Sequence, residues 1–397
     1  MMEIRHVDLA NPPARLCGAP TNAFLVFWRD ERPVGQAYVA LPTEGIATAV
    51  LVEKAVERRA VERALRVADG SLRTSVIICT RDRVASLERC LDSLRAQARL
   101  PDEIIVVDNG SGGLGTRQTA EAAGARWIRE ETAGLDRARN TGARAASGDV
   151  VIYADDDVRL HPRWLERLVA AFEPGIDGVT GLVLPLSLET EAQQLFEREW
   201  SFGQGFLPRD FGPAFFGGEK KEACPVWKIG AGASMAFRRT VFERVGYFDL
   251  RLDAGAAGCS GDSEMWHRML ASGMTIRYEP AAVAFHEHRR EMAALRKQIF
   301  AYARGHTAAL LVQQERASGR ANARRAWWGL PRYYAGRMFR RLLGRRRDGD
   351  RFLGEEIRGW MSGLRYYYRH RRGVGNETDA EPRRVGRGSG AGAAVSG

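Results

Sequence analysis

The sequence predicts an α/β fold, a mostly parallel sheet with helices on both faces, followed by a helical C-terminal region. Three observations predict it. Residues 75–79, 104–107 and 150–154 are short, uninterrupted apolar runs of the kind buried on both faces of a sheet. Between them lie segments with apolar residues at helical spacing, such as Leu87, Cys90, Leu91 and Leu94. Strand-like and helix-like segments therefore alternate, the pattern of parallel strands joined by crossover helices.

Taken in order, residues 1–70 mix short apolar runs, such as 23–28, with a charged, helical-looking stretch at 52–67, and form a small N-terminal appendage. The strand at 75–79 runs into the polar residues Thr80, Arg81, Asp82 and Arg83, and Ser86 is placed to cap the following helix. The second strand, 104–107, ends at Asp108 and Asn109. Residues 116–123 read as helix, 125–128 as a third strand, and 135–146 as a helix of small residues that stops at Gly148. The fourth strand, 150–154, ends in Asp155, Asp156 and Asp157. Pro162 then opens a helix with Leu165, Leu168, Val169 and Phe172 on one face. Ligands of such sheets bind beyond the carboxyl ends of the strands, where Asp108 and the three consecutive aspartates sit. The expected organisation is an appendage (1–70), a catalytic domain (71–290), a basic aromatic helical region (291–372) and a disordered Gly/Ala/Arg/Ser-rich tail (373–397).

Composition narrows the function classes. A chain of 397 residues can bury a sizeable core, and its net charge of +11 with a pI near 9.8 suits acidic partners. Five cysteines without a CxxC pair argue against a disulfide framework and a structural zinc site. No run approaches the ~20 apolar residues that span a bilayer, and the first fifteen residues lack the apolar stretch of a signal peptide, so a cytoplasmic protein is expected.

Three adjacent carboxylates repel one another unless a cation joins them, and oxygen ligation suits Mg²⁺ or Mn²⁺ shared with substrate phosphates. A solvated turn is the alternative use of the same residues. The loop Gly110-Ser111-Gly112-Gly113-Leu114-Gly115 matches GxGxxG, with Glu130 about twenty residues on, which offers an NAD-dependent oxidoreductase as a remote alternative. Asp108 would then lie beside the pyrophosphate with like charge, and the triple aspartate would have no role.

Four segments in this order, SVIICTRDR (75–83), EIIVVDNGS (103–111), GLDRARNTGARAASGDVVIYADDD (134–157) and GDSEMWHR (261–268), resemble glycosyltransferase family two, the inverting nucleotide-sugar transferases with the GT-A fold. The resemblance covers roughly residues 74–290. It implies that Thr80 and Arg81 cradle the base and ribose, that Asp108 binds the base, and that Asn109 stands where the family often has a second aspartate. It places Arg139 and Asn140 beside the donor, Asp155 and Asp156 at the ribose, and Asp157 on the metal. Asp262 matches the catalytic base, although Gly261 precedes it where the family often writes glutamate. His286, in the AFHEH segment (284–288), matches a late metal ligand, and His288 is an alternative for that role. The resemblance implies a pyrimidine nucleotide more readily than GDP, a glycan or lipid-linked glycan acceptor, and a place in polysaccharide biosynthesis. A catalytically silent nucleotide-sugar or glycan-binding protein is the alternative from another class.

Three further features stay open at this level. Asp262 also suits a helix cap before the segment that follows it. The small-residue stretches 228–235 and 253–261 suit a mobile loop over the acceptor, and Trp227 and Trp266 are candidates for stacking on sugar rings or for core packing. The basic, aromatic C-terminal region suits peripheral contact with an anionic membrane, at the inner face of the cell membrane. A solvated helical face has the same composition. Nucleic acid would suit the charge, but no nucleic-acid-binding motif is present. A QxxRW segment and membrane helices, expected of a processive synthase, are missing, which favours transfer of a single sugar.

Overall fold

The computed structural model describes residues 2–18, 21–62, 64–66, 70–217, 222–254, 256–317, 319–345 and 347–371. The expected disordered tail, 373–397, lies outside them.

The N-terminal region is a three-stranded sheet of β1 (Glu3–Asp8), β2 (Thr21–Arg29) and β3 (Arg32–Leu41), with β2 in the middle. The charged stretch expected at 52–67 is broken, with helices at Thr48–Ala55 and Arg58–Glu62.

The main sheet has nine strands. Its strands in chain order are β4 (Thr74–Thr80), β5 (Glu103–Asp108), β6 (Arg126–Arg129), β7 (Val150–Asp155), β8 (Val158–Leu160), β9 (Gly178–Pro185), β10 (Arg209–Phe211), β11 (Ser234–Arg238) and β12 (Ile276–His286). The spatial order is β8-β12-β9-β11-β7-β4-β5-β6, with β10 paired to β12. The pairs β7-β4, β4-β5, β5-β6 and β9-β12 are parallel, whereas β11 runs antiparallel between β7 and β9. The expected α/β class and mostly parallel sheet are therefore present.

Helices cover the sheet: α1 (Val84–Arg95), α2 (Gly115–Ala122), α3 (Leu135–Ala145), α4 (Trp164–Ala170), α5 (Glu191–Trp200) and α6 (Gly261–Ala271). Leu87, Cys90, Leu91 and Leu94 are the buried residues of α1, as their spacing predicts. Ser86 does not cap that helix. Arg83 is the capping residue, without a side-chain cap, so the helix starts three residues earlier than expected and Ser86 lies within its first turn. Likewise Pro162 precedes the fourth helix by two residues instead of opening it.

The region after residue 290 is helical: α7 (Met292–Gln314), α8 (Leu330–Leu342) and α9 (Leu353–His370). The helices α7 and α9 pack closely, since Gly359 and Gly363 face the α7 backbone where a Cβ would come within 2.5 Å of a carbonyl oxygen. No helix among the described residues is long and apolar enough to cross a membrane.

Candidate active site

The site lies at the carboxyl ends of β4, β5 and β7, closed on one side by the end of β12 and the start of α6. Parallel pairing sets Thr80 beside Asp108 and Cys79 beside Asp155, so the strand-end residues converge on one edge. The loops after β4 and β5 are tied together. The Asp82 amide donates to Ser111 Oγ at 3.0 Å, and the Gly112 amide donates to Asp82 Oδ1 at 2.9 Å. This places Asp82 at positive φ, 52°, a conformation that aspartate tolerates better than most residues.

Asp108 is fully buried. Its Oδ1 accepts from the Ser111 amide at 2.8 Å, but Oδ2 has no hydrogen-bond partner, and the Arg129 guanidinium stands 3.7 Å away. An unsatisfied buried carboxylate oxygen is costly, and an N–H donor from a ligand would relieve that cost. The neighbouring Asn109 is not so disposed. Its amide donates to the Thr132 carbonyl at 2.8 Å and accepts from the Gly134 amide at 2.7 Å, which holds the segment leading into α3. Asn140 is likewise committed, in a two-way pairing with the backbone of Phe248 at 2.9 Å each way.

The three aspartates diverge in use. Asp156 is buried, accepting from Thr80 Oγ1 at 2.7 Å and from Arg83 Nη1 at 2.5 Å. Asp157 accepts from the same Arg83 nitrogen at 3.0 Å and turns Oδ1 toward His286 Nε2 at 3.4 Å. Asp155 is the most open of the three, with Arg139 Nη2 at 3.6 Å. Burial and then the adjacent aspartates push its carboxyl up, against the pull of Arg139. Arg83 is thus a built-in counter-charge for the cluster, a role not visible in the sequence beyond its place at the end of the first motif. Arg81 is exposed at the rim, with Asp82 at 3.8 Å.

His286 heads a chain of side chains. Its Nδ1 lies 3.0 Å from His288 Nδ1, and His288 Nε2 lies 2.9 Å from Glu197 Oε2 on α5. The tautomer of His288 that donates from Nε2 to the buried Glu197 has Nδ1 as an acceptor. In that tautomer His286 Nδ1 donates, and its Nε2 lone pair faces Asp157 Oδ1. Two acceptors meet there, the disposition of a pair of metal ligands. Burial holds His286 neutral, lowering its pKa to about 4. His288, the alternative ligand, lies behind His286 and orients it.

No three His, Cys, Asp or Glu side chains among the described residues converge as a complete metal cage. Mg²⁺ and Mn²⁺ sites commonly take one or two protein ligands and complete the shell with phosphate oxygens and water, so Asp157 with His286 fits that class of ion.

Asp262 sits in the first turn of α6, not at its cap, which is Ser260. Its Oδ1 accepts from the Ser263 amide at 2.7 Å and Oδ2 from the Gly232 amide at 3.0 Å. A Cβ on Gly232 would come 2.9 Å from Asp262 Oδ2 and 3.0 Å from Arg139 Nη2, so the loop approaches both groups only as glycine. The small-residue segment 228–235 is therefore a close-packed wall of the site.

The departure at Gly261 has a structural reason. A Cβ there would fall 1.9 Å from Asp136 Oδ2. Asp136, from α3, fills with its own carboxylate the space that a side chain at position 261 would use. It is buried and paired with Arg139 Nη1 at 3.0 Å, and burial pushes its pKa up to about 7. The start of α3 is held by Asp253, which accepts from the amides of Leu135, Asp136 and Arg137 at 2.5, 3.1 and 3.2 Å. Neither aspartate was singled out from sequence: the amides that Asp253 binds, and the Gly261 that makes room for Asp136, are more than a hundred residues away. Trp266 is core, and Trp227 packs edge-on to His306 beneath Arg325.

Part of the chain is similar to known glycosyltransferases. Residues 75–246 match the family described as Glycosyl transferase family 2. Glycosyltransferase AglE of Haloferax volcanii is 27% identical over 233 residues, 56% of this chain and 70% of that protein. A glucosyl-dolichyl phosphate glucuronosyltransferase of the same organism is 28% identical over 45% of this chain and 56% of its own length. A pre-mycofactocin glycosyltransferase of Mycobacterium tuberculosis is 28% identical over 55% of this chain, which spans 43% of that protein. The structure of a mannosyltransferase from Pyrobaculum calidifontis, solved with GDP-Man and Mn²⁺, superposes with a TM-score of 0.51 at 18% identity, covering 77% of this chain and 92% of that one.

Proposed function

We propose that the chain, whose residues 75–246 match Glycosyl transferase family 2, is an inverting glycosyltransferase on a GT-A scaffold. It transfers a single sugar from a nucleotide-diphosphate donor to a hydroxyl of a glycan or lipid-linked glycan acceptor, with Mn²⁺ or Mg²⁺ as cofactor. The observation that carries this reading is Asp157 Oδ1 facing His286 Nε2 at 3.4 Å, with Asp262 held in the first turn of α6 by the Gly232 and Ser263 amides.

In this reading the unsatisfied Asp108 Oδ2 takes the base N–H, with Thr80 and Arg81 lining the base and ribose side. Asp155 faces the ribose, while Asp156 fixes Arg83. Asp157 and His286 hold the divalent ion, which when bound neutralises charge on the diphosphate. Asp262 takes the proton of the acceptor hydroxyl as that oxygen bonds to the anomeric carbon and the bond to the diphosphate breaks, which inverts the centre. The Gly232 and Ser263 amides fix the orientation of the Asp262 carboxylate, and Arg139 adds positive charge beside the departing group. Five free cysteines suit a reducing, cytoplasmic setting.

The test is a screen of UDP-, dTDP- and GDP-sugars with Mn²⁺ or Mg²⁺, reading nucleoside diphosphate release alongside thermal-shift binding. Wild type should release the diphosphate only with metal, and Asp157→Ala and Asp262→Asn should each lose at least about a hundredfold. Asp262→Asn should still bind donor. An absence of metal-dependent binding to every donor would overturn the reading.

A further inference from the structure

The segment from Arg316 to Arg347 contains eleven arginines and no aspartate or glutamate. Within it, residues 321–342 form one helical run, a short helix at Ala321–Arg324, a single π turn at Arg325–Gly329, and α8. One stripe of this run is packed: Ala326, Leu330 and Tyr334 are buried against Leu310, Leu353 and Leu364, and the Trp360 indole N–H donates to the Ala326 carbonyl at 2.9 Å.

A helix with one packed stripe is expected to turn polar residues outward. This one does not. Trp328, Phe339 and Leu342 stand on the opposite side at helical spacing and are 76%, 63% and 83% exposed. Trp327, Met338 and Leu343 extend the same apolar surface and are also exposed. The π turn adds a residue to the helical repeat, and both adjacent tryptophans of that turn reach solvent. Arg332, Arg340, Arg341 and Arg345 surround these side chains and are exposed, whereas the inward Arg337 is paired with Asp350 and Glu356.

We propose that the outer face of this helix is a docking surface for an anionic lipid bilayer. Exposed tryptophan, phenylalanine and leucine ringed by arginine match the interface between acyl chains and anionic headgroups, the apolar groups entering and the guanidinium groups reaching the phosphates. The complete lack of carboxylates over the segment fits a negatively charged partner surface and disfavours a second copy of the same face, which would oppose arginine to arginine. The π turn also touches the segment that leads to one wall of the candidate site. Arg325 lies over the Trp227 ring at 4.4 Å, and Trp227 precedes the loop whose Gly232 holds Asp262. Docking would thus bring that wall of the candidate site close to the lipid surface.

The test is co-sedimentation of the full chain with vesicles of phosphatidylcholine alone and of phosphatidylcholine mixed with phosphatidylglycerol, with tryptophan fluorescence read in parallel. Wild type should partition onto the anionic vesicles with a blue shift and bind neutral vesicles at least about tenfold more weakly. Phe339→Ser with Leu342→Ser, and separately Arg332→Ser with Arg340→Ser, should each lower anionic partition roughly tenfold at unchanged Tm. No partition onto anionic vesicles, partition unchanged in both variants, or a dimer by light scattering that Phe339→Ser dissociates would overturn the proposal. The assay contains neither donor nor acceptor, so its outcome is separate from that of the transferase reading.

Discussion

At the scale of single residues, the site depends on two positions that carry no reactive group. The first is Glu197. Its carboxylate lies 2.9 Å from His288 Nε2, and donation across that contact selects the tautomer in which the His286 Nε2 lone pair faces Asp157. Outer-shell partners of this kind set the affinity of a metal site by about ten- to a hundredfold. Glu197→Leu removes the acceptor while keeping the volume, and should weaken Mn²⁺ binding about tenfold in calorimetric titration with a nucleoside diphosphate present. An unchanged Kd would show that the chain of imidazoles does not orient the ligand. The second position is Gly232. Gly232→Ala would press a methyl group against Asp262 Oδ2 and Arg139 Nη2, moving the carboxylate proposed as the base. Misplacement on that scale costs on the order of a hundredfold, so kcat should fall about that far while Tm stays within a few degrees. A fully active Gly232→Ala enzyme would separate Asp262 from the chemistry.

Which residues were legible in the sequence follows from where their partners lie. Asp108 and Asp155–Asp157 could be read because a strand end is a local signal, an apolar run that stops at a carboxylate. Asp262 and His286 needed the resemblance, since neither a helix-capping aspartate nor a lone histidine announces chemistry. Arg83 was within a quoted motif yet had no role until Asp156 and Asp157 were placed against it, 73 and 74 residues on. Glu197 gave no signal at all, because its partner is 91 residues away. Asn109 and Asn140 illustrate the converse. Their motif is recognisable, but the structure shows each amide engaged by backbone of a distant segment, which the motif cannot show.

At the scale of elements, α3 is the piece on which the site turns. Asp253 gathers three amides at its start, Asp136 fills the space left by Gly261, and Arg139 reaches toward Asp155. Asp136 gives this helix a pH signature. Burial raises its folded pKa from an ordinary 3.8 to about 7, so between those values the folded state holds a proton that the unfolded chain has released. Stability from this group is therefore fully present at low pH, falls as pH rises from about 4 to about 7, and is constant above. Asp136→Asn keeps the shape without the ionisation. In urea unfolding at a series of pH values, the variant should lack this decline and gain roughly 1–3 kcal/mol relative to wild type on going from pH 5 to pH 8. A parallel pH profile in both proteins would mean that the pairing with Arg139 keeps Asp136 ionised throughout.

At the scale of the whole molecule, the N-terminal sheet shares its core with the catalytic domain. Strand β2 alternates between two interiors. Ala23, Leu25 and Phe27 belong to the local cluster with Val7, Val34, Leu41 and Leu51, while Phe24, Val26 and Trp28 join the cluster of Leu182, Leu184 and Leu188 from the main sheet and its flank. A strand buried on both faces reads as an unbroken apolar run, which is why the sequence marked residues 23–28 as apolar without revealing what they cover. Polar contacts reinforce the junction: the Met2 amide donates to Leu188, Trp28 stacks on His161, and Arg66 bridges Glu173 and Glu279. Regions that share a core unfold together. Phe24→Ala, which opens a cavity at this junction, should therefore cost roughly 3–5 kcal/mol and shift one cooperative transition seen alike by tryptophan fluorescence and far-UV circular dichroism. The competing expectation is specific: an independent N-terminal domain would show two transitions, with only the one assigned to β1–β3 moved by the substitution. Coincident curves in both proteins would make the sheet a part of the catalytic scaffold, acting on the active site through β12, whose Phe285 touches the His6 and Trp28 rings and whose next residue is His286.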